Sequence, residues 1–419
     1  MKYSKDTICP YPFNYISTTN SGTFRTCCES LGIGVSAEDY NADEVWNGDF
    51  YKGLRKDLIN GIQHPNCARC WKNEQQGLIS TRQKEVLSYD EDYLISLIDK
   101  TDEDGYLDYT PETFEFKIGN LCNLKCIMCT QMESSQHEAE LVFFRQKQVD
   151  LPQTLNYIEE HVRDKDQIYR YQKSQQKKML DRLLTIMPNL KLLKIVGGEP
   201  FINPLTNDIL DLAIEHNHHK TISLEIISNL YQTDFKYIQK AKQFKNFRLL
   251  CSIDHIEQEK FNFIRFPCKY TEVENNFFKL LHDTEIDLEI SATFNIFNIF
   301  DMKEILQQFE FWSKQREKEL PVRINYVDEP RYFSFQYLSP ELRQQVEILV
   351  ERVVLEFESS KLFAENNQLY DYLKSTKNFI KHPPEDFKEV VEERSRVLKL
   401  YDNTRGTDYK SLFLHLNTL

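Results

Sequence analysis

Short apolar runs alternate with longer amphipathic segments through the middle of the chain. Six runs have the length of strands, at Phe114–Ile118, Leu192–Val196, Ile222–Ser228, Phe247–Asp254, Leu288–Phe294 and Val322–Val327. Segments with helical spacing lie between them, at Leu205–Glu215, Asp234–Phe244, Thr271–His282 and Met302–Arg316. Strands that alternate with helices indicate a parallel sheet with crossover helices. The pattern therefore predicts an α/β fold, with an open, partial (β/α)6 TIM-like barrel at residues 112–330.

The residues on either side of this region have other patterns. Asn20-Ser21-Gly22 lies between two strand-like runs and predicts a β-hairpin, and residues 44–62 have the spacing of one helix. Residues 131–190 are too long for a loop and predict a helical insertion. A chain of 419 residues exceeds the size of a single core. We predict a cysteine-rich domain at 1–95, the barrel at 112–330, and a mainly helical region at 331–419.

The charge and the cysteine content narrow the possible functions. The net charge of -13 disfavours non-specific binding to nucleic acid, whose phosphates are also negative. The N-terminus lacks the apolar stretch of a signal peptide, and no run approaches the roughly 18 apolar residues of a membrane span. These features predict a cytoplasmic protein without a membrane partner. Eight of the ten cysteines precede residue 130, and clustered cysteines in a reducing compartment indicate metal binding or catalysis.

Three of these cysteines follow the first predicted barrel strand, in the spacing Cys122-x3-Cys126-x2-Cys129. Chemistry in barrels of this kind gathers at the C-terminal ends of the strands. A [4Fe–4S] cluster normally takes four cysteines, so three ligands leave one iron open, as a catalytic metal requires. A structural zinc site is the alternative, but zinc needs a fourth ligand, and this loop offers none.

This motif resembles the signature of the radical S-adenosylmethionine (radical SAM) superfamily. The resemblance implies that the open iron chelates S-adenosylmethionine (AdoMet) and that one electron cleaves it to a 5′-deoxyadenosyl radical, which abstracts hydrogen from a substrate. Met128 stands where the family commonly has an aromatic residue, next to AdoMet. Gly197-Gly198-Glu199, after the second strand, resembles the motif that contacts the methionine amino group.

Four polar residues near the ends of the later strands extend the resemblance, and it implies that they bind AdoMet: Ser228, Ser252, Asp254 and Arg265. Arg265 matches an arginine that can pair with the AdoMet carboxylate. For each of the four, a strand-end cap or a surface pair is the alternative role. Leu230 and His255 depart from the family pattern, which has glycine at both positions.

The cysteines of residues 1–95 form a second set. With Trp46, Arg55 and the segment from Cys67 to Arg82, they resemble SPASM and twitch modules, which hold an auxiliary [4Fe–4S] cluster beside radical SAM barrels. The resemblance implies four ligands: Cys9, Cys27, Cys67 and Cys70. Cys28 is adjacent to Cys27 and could replace it. Four thiolate ligands would close this cluster, which fits electron transfer. A zinc site with four cysteines is the alternative.

The resemblance thus predicts an iron–sulfur enzyme with two clusters. Its partner would be a reductant protein such as a flavodoxin or ferredoxin. A peptide or protein is the favoured substrate; a sugar, nucleoside or small metabolite is the alternative. The hypothesis from a different class is a non-catalytic iron–sulfur or zinc protein for electron transfer or interaction. The residues that resemble an AdoMet pocket argue against it, because a carrier needs no such pocket.

Overall fold

Eight strands form one sheet in the computed structural model, which describes residues 4–151, 173–364, 367–381, 384 and 386–418. The strands are β1 Tyr15–Thr18, β2 Phe24–Arg25, β3 Thr113–Lys117, β4 Leu192–Val196, β5 Ser223–Ser228, β6 Asn246–Ser252, β7 Asp287–Phe294 and β8 Val322–Tyr326. Their order is β2-β1-β3-β4-β5-β6-β7-β8. The pair β1/β2 is antiparallel, whereas β1/β3, β3/β4, β4/β5 and β7/β8 are parallel. The six predicted barrel strands are confirmed, and the N-terminal hairpin extends the same sheet.

Helices connect and flank these strands. In the described residues they are α1 Tyr11–Asn14, α2 Ala42–Trp46, α3 Asp49–Ile59, α4 Ala68–Gln75, α5 Thr81–Ser88, α6 Glu91–Asp99, α7 Ser135–Gln146, α8 Lys173–Ile186, α9 Pro204–Glu215, α10 Phe235–Ala241, α11 Gln258–Ile264, α12 Tyr270–Leu281, α13 Met302–Gln315, α14 Pro340–Phe357, α15 Lys361–Ala364, α16 Asn367–Lys381, α17 Phe387–Arg405 and α18 Tyr409–Leu412. Part of the predicted insertion at 131–190 lies outside the described residues; α7 and α8 lie within it. None of the described helices has the length and hydropathy to span a membrane.

The single helix predicted at residues 44–62 is wrong. The chain leaves α2 at Asn47, and Gly48 becomes the N-cap of α3 in an extended conformation. The helix α3 ends at Ile59, and Gly61 follows with a φ of 80°. Glycine adopts this left-handed conformation at little cost, so it ends the helix before Ile62.

Alternation along the strands separates an apolar face from a polar face. On β3, Phe114 and Phe116 are buried, and they line a small apolar cavity with Met179 of α8. Glu115 lies between them in sequence and forms a buried ion pair of 2.7 Å with Arg25 of β2. Successive side chains of a strand point to opposite faces, so one face carries the core and the other carries paired charges.

The described residues fall into two compact units. One comprises those of Met1–Gly119, Tyr169–Ile226 and Asp234–Arg248; the other comprises those of Asn120–Ile168, Ile227–Thr233 and Leu249–Leu419. We call them the first and the second unit. The cysteines of residues 1–95 and the Gly197-Gly198 turn belong to the first unit, and the Cys122–Cys129 loop belongs to the second. The predicted domain boundaries at 95, 112 and 330 stay predictions.

Candidate active site

The three cysteines of the second unit lie in a loop after β3, and their thiol groups face one another. Cys122 and Cys126 are buried, and Cys129 is half-buried. The thiol of Cys129 donates a hydrogen bond to the Cys126 sulfur, which lowers the pKa of Cys126; burial opposes this shift, and the charge of Arg265 supports it. The Cys122 sulfur accepts a hydrogen bond of 3.5 Å from the backbone N–H of Leu124. The same hydrogen bond raises the pKa of Cys129 well above its ordinary value, and burial adds to this, so Cys126 is the sulfur of the pair that favours the thiolate form, which is the form that binds metal.

Backbone hydrogen bonds hold this loop in place. Lys125 donates its N–H to the carbonyl of Phe266 at 2.7 Å, and Ile127 donates to Ile264 at 2.8 Å. Asn123 adds a side-chain link, since its Nδ2 donates to the carbonyl of Tyr231 at 2.6 Å and its Oδ1 accepts from Asn229 at 2.9 Å. The cysteines are thus fixed by the segments that follow β5 and α11.

Arg265 and Asp254 form an ion pair beside the cysteines. The Nε atom of Arg265 lies 2.7 Å from Oδ2 of Asp254, without the alignment of a hydrogen bond. The other carboxylate oxygen accepts the backbone N–H of Thr293 at 2.7 Å. Burial lowers the pKa of Arg265, but the charges of Asp254 and Cys126 outweigh burial and raise it. Arg265 is therefore a fixed cation next to the cysteine loop, and Asp254 orients it.

The remaining predicted residues of the second unit have smaller local roles. Ser228 is buried, and its Oγ accepts the N–H of Leu230 at 3.0 Å. Ser252 and Met128 are half-buried. Leu230 adopts a φ of 57°, in the left-handed region that glycine favours. The family pattern has glycine at this position and this sequence has leucine, but the backbone of Leu230 still adopts the left-handed conformation.

The Gly197-Gly198-Glu199 turn of the first unit needs its glycines. Gly197 has a φ of 96°, and Gly198 a φ of 47°. A Cβ on Gly197 would lie 2.7 Å from Oδ1 of Asn20 and 2.9 Å from the carbonyl oxygen of Gly119. Glu199 is 1% exposed, and its carboxylate accepts the N–H of Phe201 at 3.1 Å. In this turn the backbone of Gly197 lies close to the backbone of Gly119, next to the buried carboxylate of Glu199. A residue with a Cβ does not fit at Gly197.

Four N-terminal cysteines line one small cavity in the first unit: Cys9, Cys27, Cys67 and Cys70. Burial raises the pKa of Cys9, and the nearby Cys27 raises it further. Burial also raises the pKa values of Cys27 and Cys67 to about 12, and here too neighbouring thiols add to the effect. The four thiols are thus buried together in one cavity, and four cysteines are a donor set that can bind a metal centre.

Cys28 lies outside that cavity lining and is exposed. Backbone N–H groups donate to the cavity sulfurs: Tyr11 to Cys9, Glu29 to Cys27 and Arg82 to Cys70. Such bonds stabilise thiolates and are common around metal-bound cysteines. Burial raises the pKa of Cys28, the charges of Glu29, Cys27 and Glu115 raise it further, and Arg25 lowers it.

Buried arginines hold the segments that carry these cysteines. Arg82 pairs with both carboxylate oxygens of Glu74 at 2.9 and 2.8 Å, and it donates to the carbonyl of Ile8 at 2.9 Å. Arg55 is 0% exposed and donates to the carbonyls of Pro12, Trp46 and Gly105. Both are residues of the predicted module, and the structure explains them as anchors for the chain near Cys9 and Cys70.

The distances between the cysteine sulfur atoms can be compared with those around a single zinc ion. Among the seven predicted ligand cysteines, all of which lie in the described residues, no three sulfurs lie within 4.8 Å of one another. Four thiolates around one zinc ion have sulfurs roughly 3.8 Å apart, given a bond of about 2.3 Å and tetrahedral geometry. The described sulfurs therefore do not have the spacing of four thiolates around one zinc ion, although those of Cys126 and Cys129 lie within hydrogen-bonding distance of each other.

One other group in the described residues has metal-binding residue types: His255, Glu257 and Asp301. The ammonium of Lys260 lies 3.0 Å from Glu257 and 2.9 Å from Asp301. His255 donates from Nε2 to Asp301 at 3.0 Å and accepts two backbone N–H groups at Nδ1. Because Lys260 already supplies a cation to both carboxylates, this group is a closed ion-pair network.

Sequence reasoning missed the residues that hold the cysteine loop from a distance. Arg405 of α17 donates to the carbonyl of Lys125 at 3.3 Å, and it pairs with Glu140 of α7. His137 bonds the carbonyl of Cys126 through Nε2 at 2.8 Å. The sequence offers one signal for Arg405, the Arg405-Gly406 step at a helix end, but that signal does not indicate which segment the arginine contacts.

Comparisons with known proteins agree with the resemblance of the motifs. The profile described as the radical SAM superfamily matches residues 116–299. No curated protein sequence matches the chain. Among solved structures, native anSMEcpe with bound AdoMet is 15% identical with a TM-score of 0.41, over 59% of this chain and 62% of that chain. Streptococcus suis SuiB bound to S-adenosylmethionine is 11% identical with a TM-score of 0.38, over 88% and 74% of the two chains.

A second structure of that protein, Streptococcus suis SuiB bound to precursor peptide SuiA, is 10% identical with a TM-score of 0.40, over 76% and 68% of the two chains. The chain spans less than two thirds of the length of anSMEcpe, at 62%. The matched range 116–299 contains Cys122, Cys126 and Cys129. The region that carries these three cysteines therefore matches the radical SAM superfamily.

Proposed function

We propose that the chain is a radical SAM enzyme in which Cys122, Cys126 and Cys129 hold a [4Fe–4S] cluster, and that it abstracts hydrogen from its substrate after reductive cleavage of AdoMet. The observation that carries the proposal is the position of the three cysteines in one loop, beside the fixed cation of Arg265. When bound, the cluster supplies the electron that cleaves the sulfonium of AdoMet. The open iron follows from the number of ligands, because this loop offers three.

The residues around the loop would bind and orient AdoMet. Arg265 offers a guanidinium that can pair with the AdoMet carboxylate, while Asp254 keeps its orientation. Ser228 and Ser252 offer hydroxyls to the ribose. Met128 offers an apolar surface within the cysteine loop.

Glu199 and its two glycines have the chemistry that an ammonium group needs. Glu199 offers a buried carboxylate, and a carboxylate can accept hydrogen bonds from an ammonium group. Gly197 and Gly198 let the backbone approach a ligand closely, since neither carries a Cβ. We propose that this turn accepts the amino group of AdoMet.

The first unit would hold a second, auxiliary [4Fe–4S] cluster. Support comes from the shared cavity of Cys9, Cys27, Cys67 and Cys70 and from the N–H groups that donate to three of their sulfurs. We propose Cys27 and not Cys28 as the ligand, because Cys28 lies outside the cavity lining. Four ligands would close this cluster, so its role would be to accept or relay an electron. A flavodoxin or ferredoxin is the proposed external reductant.

For the substrate we propose a peptide or protein, one of the substrate classes of the SPASM and twitch relatives. Sugars, nucleosides and small metabolites are the alternative within the same chemistry. Incubation of the reduced enzyme with AdoMet and candidate substrates in deuterated form tests this. Transfer of deuterium to 5′-deoxyadenosine from a peptide supports the proposal, and transfer only from a small molecule refutes it.

The central experiment is anaerobic reconstitution with iron and sulfide, followed by AdoMet and dithionite. The proposal predicts 5′-deoxyadenosine and about eight irons per chain. Cys122→Ala should abolish 5′-deoxyadenosine, and Cys67→Ala should remove about half of the iron. Cys251→Ala is the control, because Cys251 is buried outside both cysteine sets. Bound zinc without 5′-deoxyadenosine would refute the proposal and favour a non-catalytic metal protein.

A further inference from the structure

The side chain of Arg405 connects the C-terminal helix to the cysteine loop. Arg405 is the last residue of α17, and its side chain is 2% exposed. Its Nε and Nη2 atoms donate to the two carboxylate oxygens of Glu140 at 3.1 and 2.7 Å. Its Nη1 atom donates to the carbonyl of Lys125, between Cys122 and Cys126, at 3.3 Å. One guanidinium thus binds both the loop and the helix that follows it.

Glu140 is the common partner of two cations. The Nζ atom of Lys125 donates to Glu140 Oε1 at 2.7 Å. Burial raises the pKa of Glu140, but the hydrogen bonds and charges of Arg405 and Lys125 outweigh burial and lower it. The carboxylate is therefore ionised at neutral pH and bound from both sides, so Lys125 is held by its side chain as well as by its carbonyl.

The end of α17 fixes the direction of Arg405. The guanidinium carbon lies 3.7 Å from the centre of the Tyr401 ring, one helical turn earlier. Gly406 follows with a φ of 67°, and its N–H donates to the carbonyl of Asp402 at 2.9 Å. The Asp402 carboxylate then accepts the N–H of Tyr409 at 3.2 Å. This helix end is a glycine C-cap with its own hydrogen bonds, so the position of Arg405 is determined by its surroundings.

Three consecutive carbonyls of the cysteine loop accept side-chain hydrogen bonds. Ser134 donates to Leu124, Arg405 donates to Lys125, and His137 bonds Cys126. Ser134 is the N-cap of α7, and His137 lies in the first turn of that helix. Arg405 is the donor from elsewhere in the chain, at a separation of 280 residues.

We infer that Arg405 is a positioning residue for AdoMet binding: it sets the path of the loop between Cys122 and Cys126 through the Lys125 carbonyl and Glu140. This inference rests on the proposed cluster ligation by the loop cysteines. A substitution that keeps the positive charge of Arg405 but removes the paired N–H donors of its guanidinium should leave the fold intact. It should shift the loop between Cys122 and Cys126. Cys122 and Cys126 would then shift relative to Arg265, and AdoMet would bind more weakly.

The test uses the reconstituted enzyme and two variants that keep all charges. Arg405→Lys removes the fork, and Glu140→Asp shortens the reach of the carboxylate by one methylene. The control is Arg394→Lys in the same helix, since Arg394 is 2% exposed and donates to the carbonyl of Tyr337 at 2.9 Å, away from the loop. The measurements are the melting temperature, the iron content, and the AdoMet-dependent change in the electron paramagnetic resonance (EPR) spectrum of the reduced cluster.

The inference predicts that Arg405→Lys and Glu140→Asp keep their iron but bind AdoMet at least about tenfold more weakly, a loss of about 1.4 kcal/mol. Arg394→Lys should lower the melting temperature similarly and bind AdoMet as the unmodified enzyme does. Equal AdoMet affinity in all proteins, or an equal loss in the control, would overturn the inference. If AdoMet did not change the EPR spectrum of the unmodified enzyme, that result would instead refute the proposed function.

Discussion

Gly197→Ala is the sharpest test of the proposed AdoMet turn, because the structure specifies what the added methyl group meets. The new Cβ would lie 2.9 Å from the carbonyl oxygen of Gly119 and 2.7 Å from Oδ1 of Asn20. The Asn20 side chain can rotate, but a backbone carbonyl cannot. The φ of 96° adds strain, because residues with a Cβ rarely adopt it.

The expected cost has two parts. A non-glycine residue held in a sparsely populated backbone region costs about 1–3 kcal/mol. Overpacking against a backbone atom costs about 1–3 kcal/mol more. The variant should therefore lose about 2–6 kcal/mol of the free energy of unfolding, against a typical total of about 5–15 kcal/mol.

Gly34→Ala separates the two parts, because Gly34 also has a positive φ, 76°, but a Cβ there would meet nothing within 4 Å. It should lose about 1–2 kcal/mol, the cost of the left-handed conformation alone. Urea denaturation of the metal-free proteins under anaerobic conditions measures both losses, and equilibrium dialysis with the reconstituted proteins measures AdoMet binding. Gly197→Ala should lose AdoMet binding and Gly34→Ala should keep it. If Gly197→Ala and Gly34→Ala were equally stable and bound AdoMet equally well, the predicted effect of the close contact at Gly197 would be refuted.

Three further predictions concern the first unit. Cys27→Ala should lose about four irons on reconstitution, whereas Cys28→Ala should lose none; equal losses would contradict the assignment of Cys27. Arg82→Gln should lower the reduction potential of the auxiliary cluster in an EPR-monitored titration, because a cation is removed and Glu74 remains; a rise would contradict it. Arg55→Lys should cost about 3 kcal/mol or more in urea denaturation, because three buried carbonyls lose their donors, and an unchanged midpoint would contradict it.

The sequence predicts the barrel strands well because each is a local signal. The strand Leu192–Val196 begins and ends where the apolar run does, and Ser223–Ser228 differs from it by one residue. Glycine residues explain why the apolar spacing at residues 44–62 does not correspond to one continuous helix. The spacing of apolar residues continues through Gly48 to Ile62, but Gly48 begins a new helix, and Ile62 is 53% exposed.

Long-range pairings have no local signal. The turn at Asn20-Ser21-Gly22 predicts the hairpin of β1 and β2, but not that β1 pairs with β3, which places Ile16 opposite Phe114. Arg405 is a similar case, since a helix-terminal arginine is an ordinary surface feature until its partners are known. The motifs thus predict the ligands of the clusters, and the structure adds the residues that hold those ligands in place.

The same arrangement recurs beside the cysteines of both units, as three buried arginine–carboxylate pairs: Arg82–Glu74, Arg265–Asp254 and Arg405–Glu140. Each pair is close to neutral, so it compensates little of the charge of a thiolate-bound cluster. Each pair does fix a planar guanidinium, which a lone lysine would not do. If these arginines act by geometry, replacement by lysine should disturb AdoMet or cluster binding although the charge is kept. If they act by charge, lysine should substitute for them, so the three Arg→Lys variants decide between the two roles.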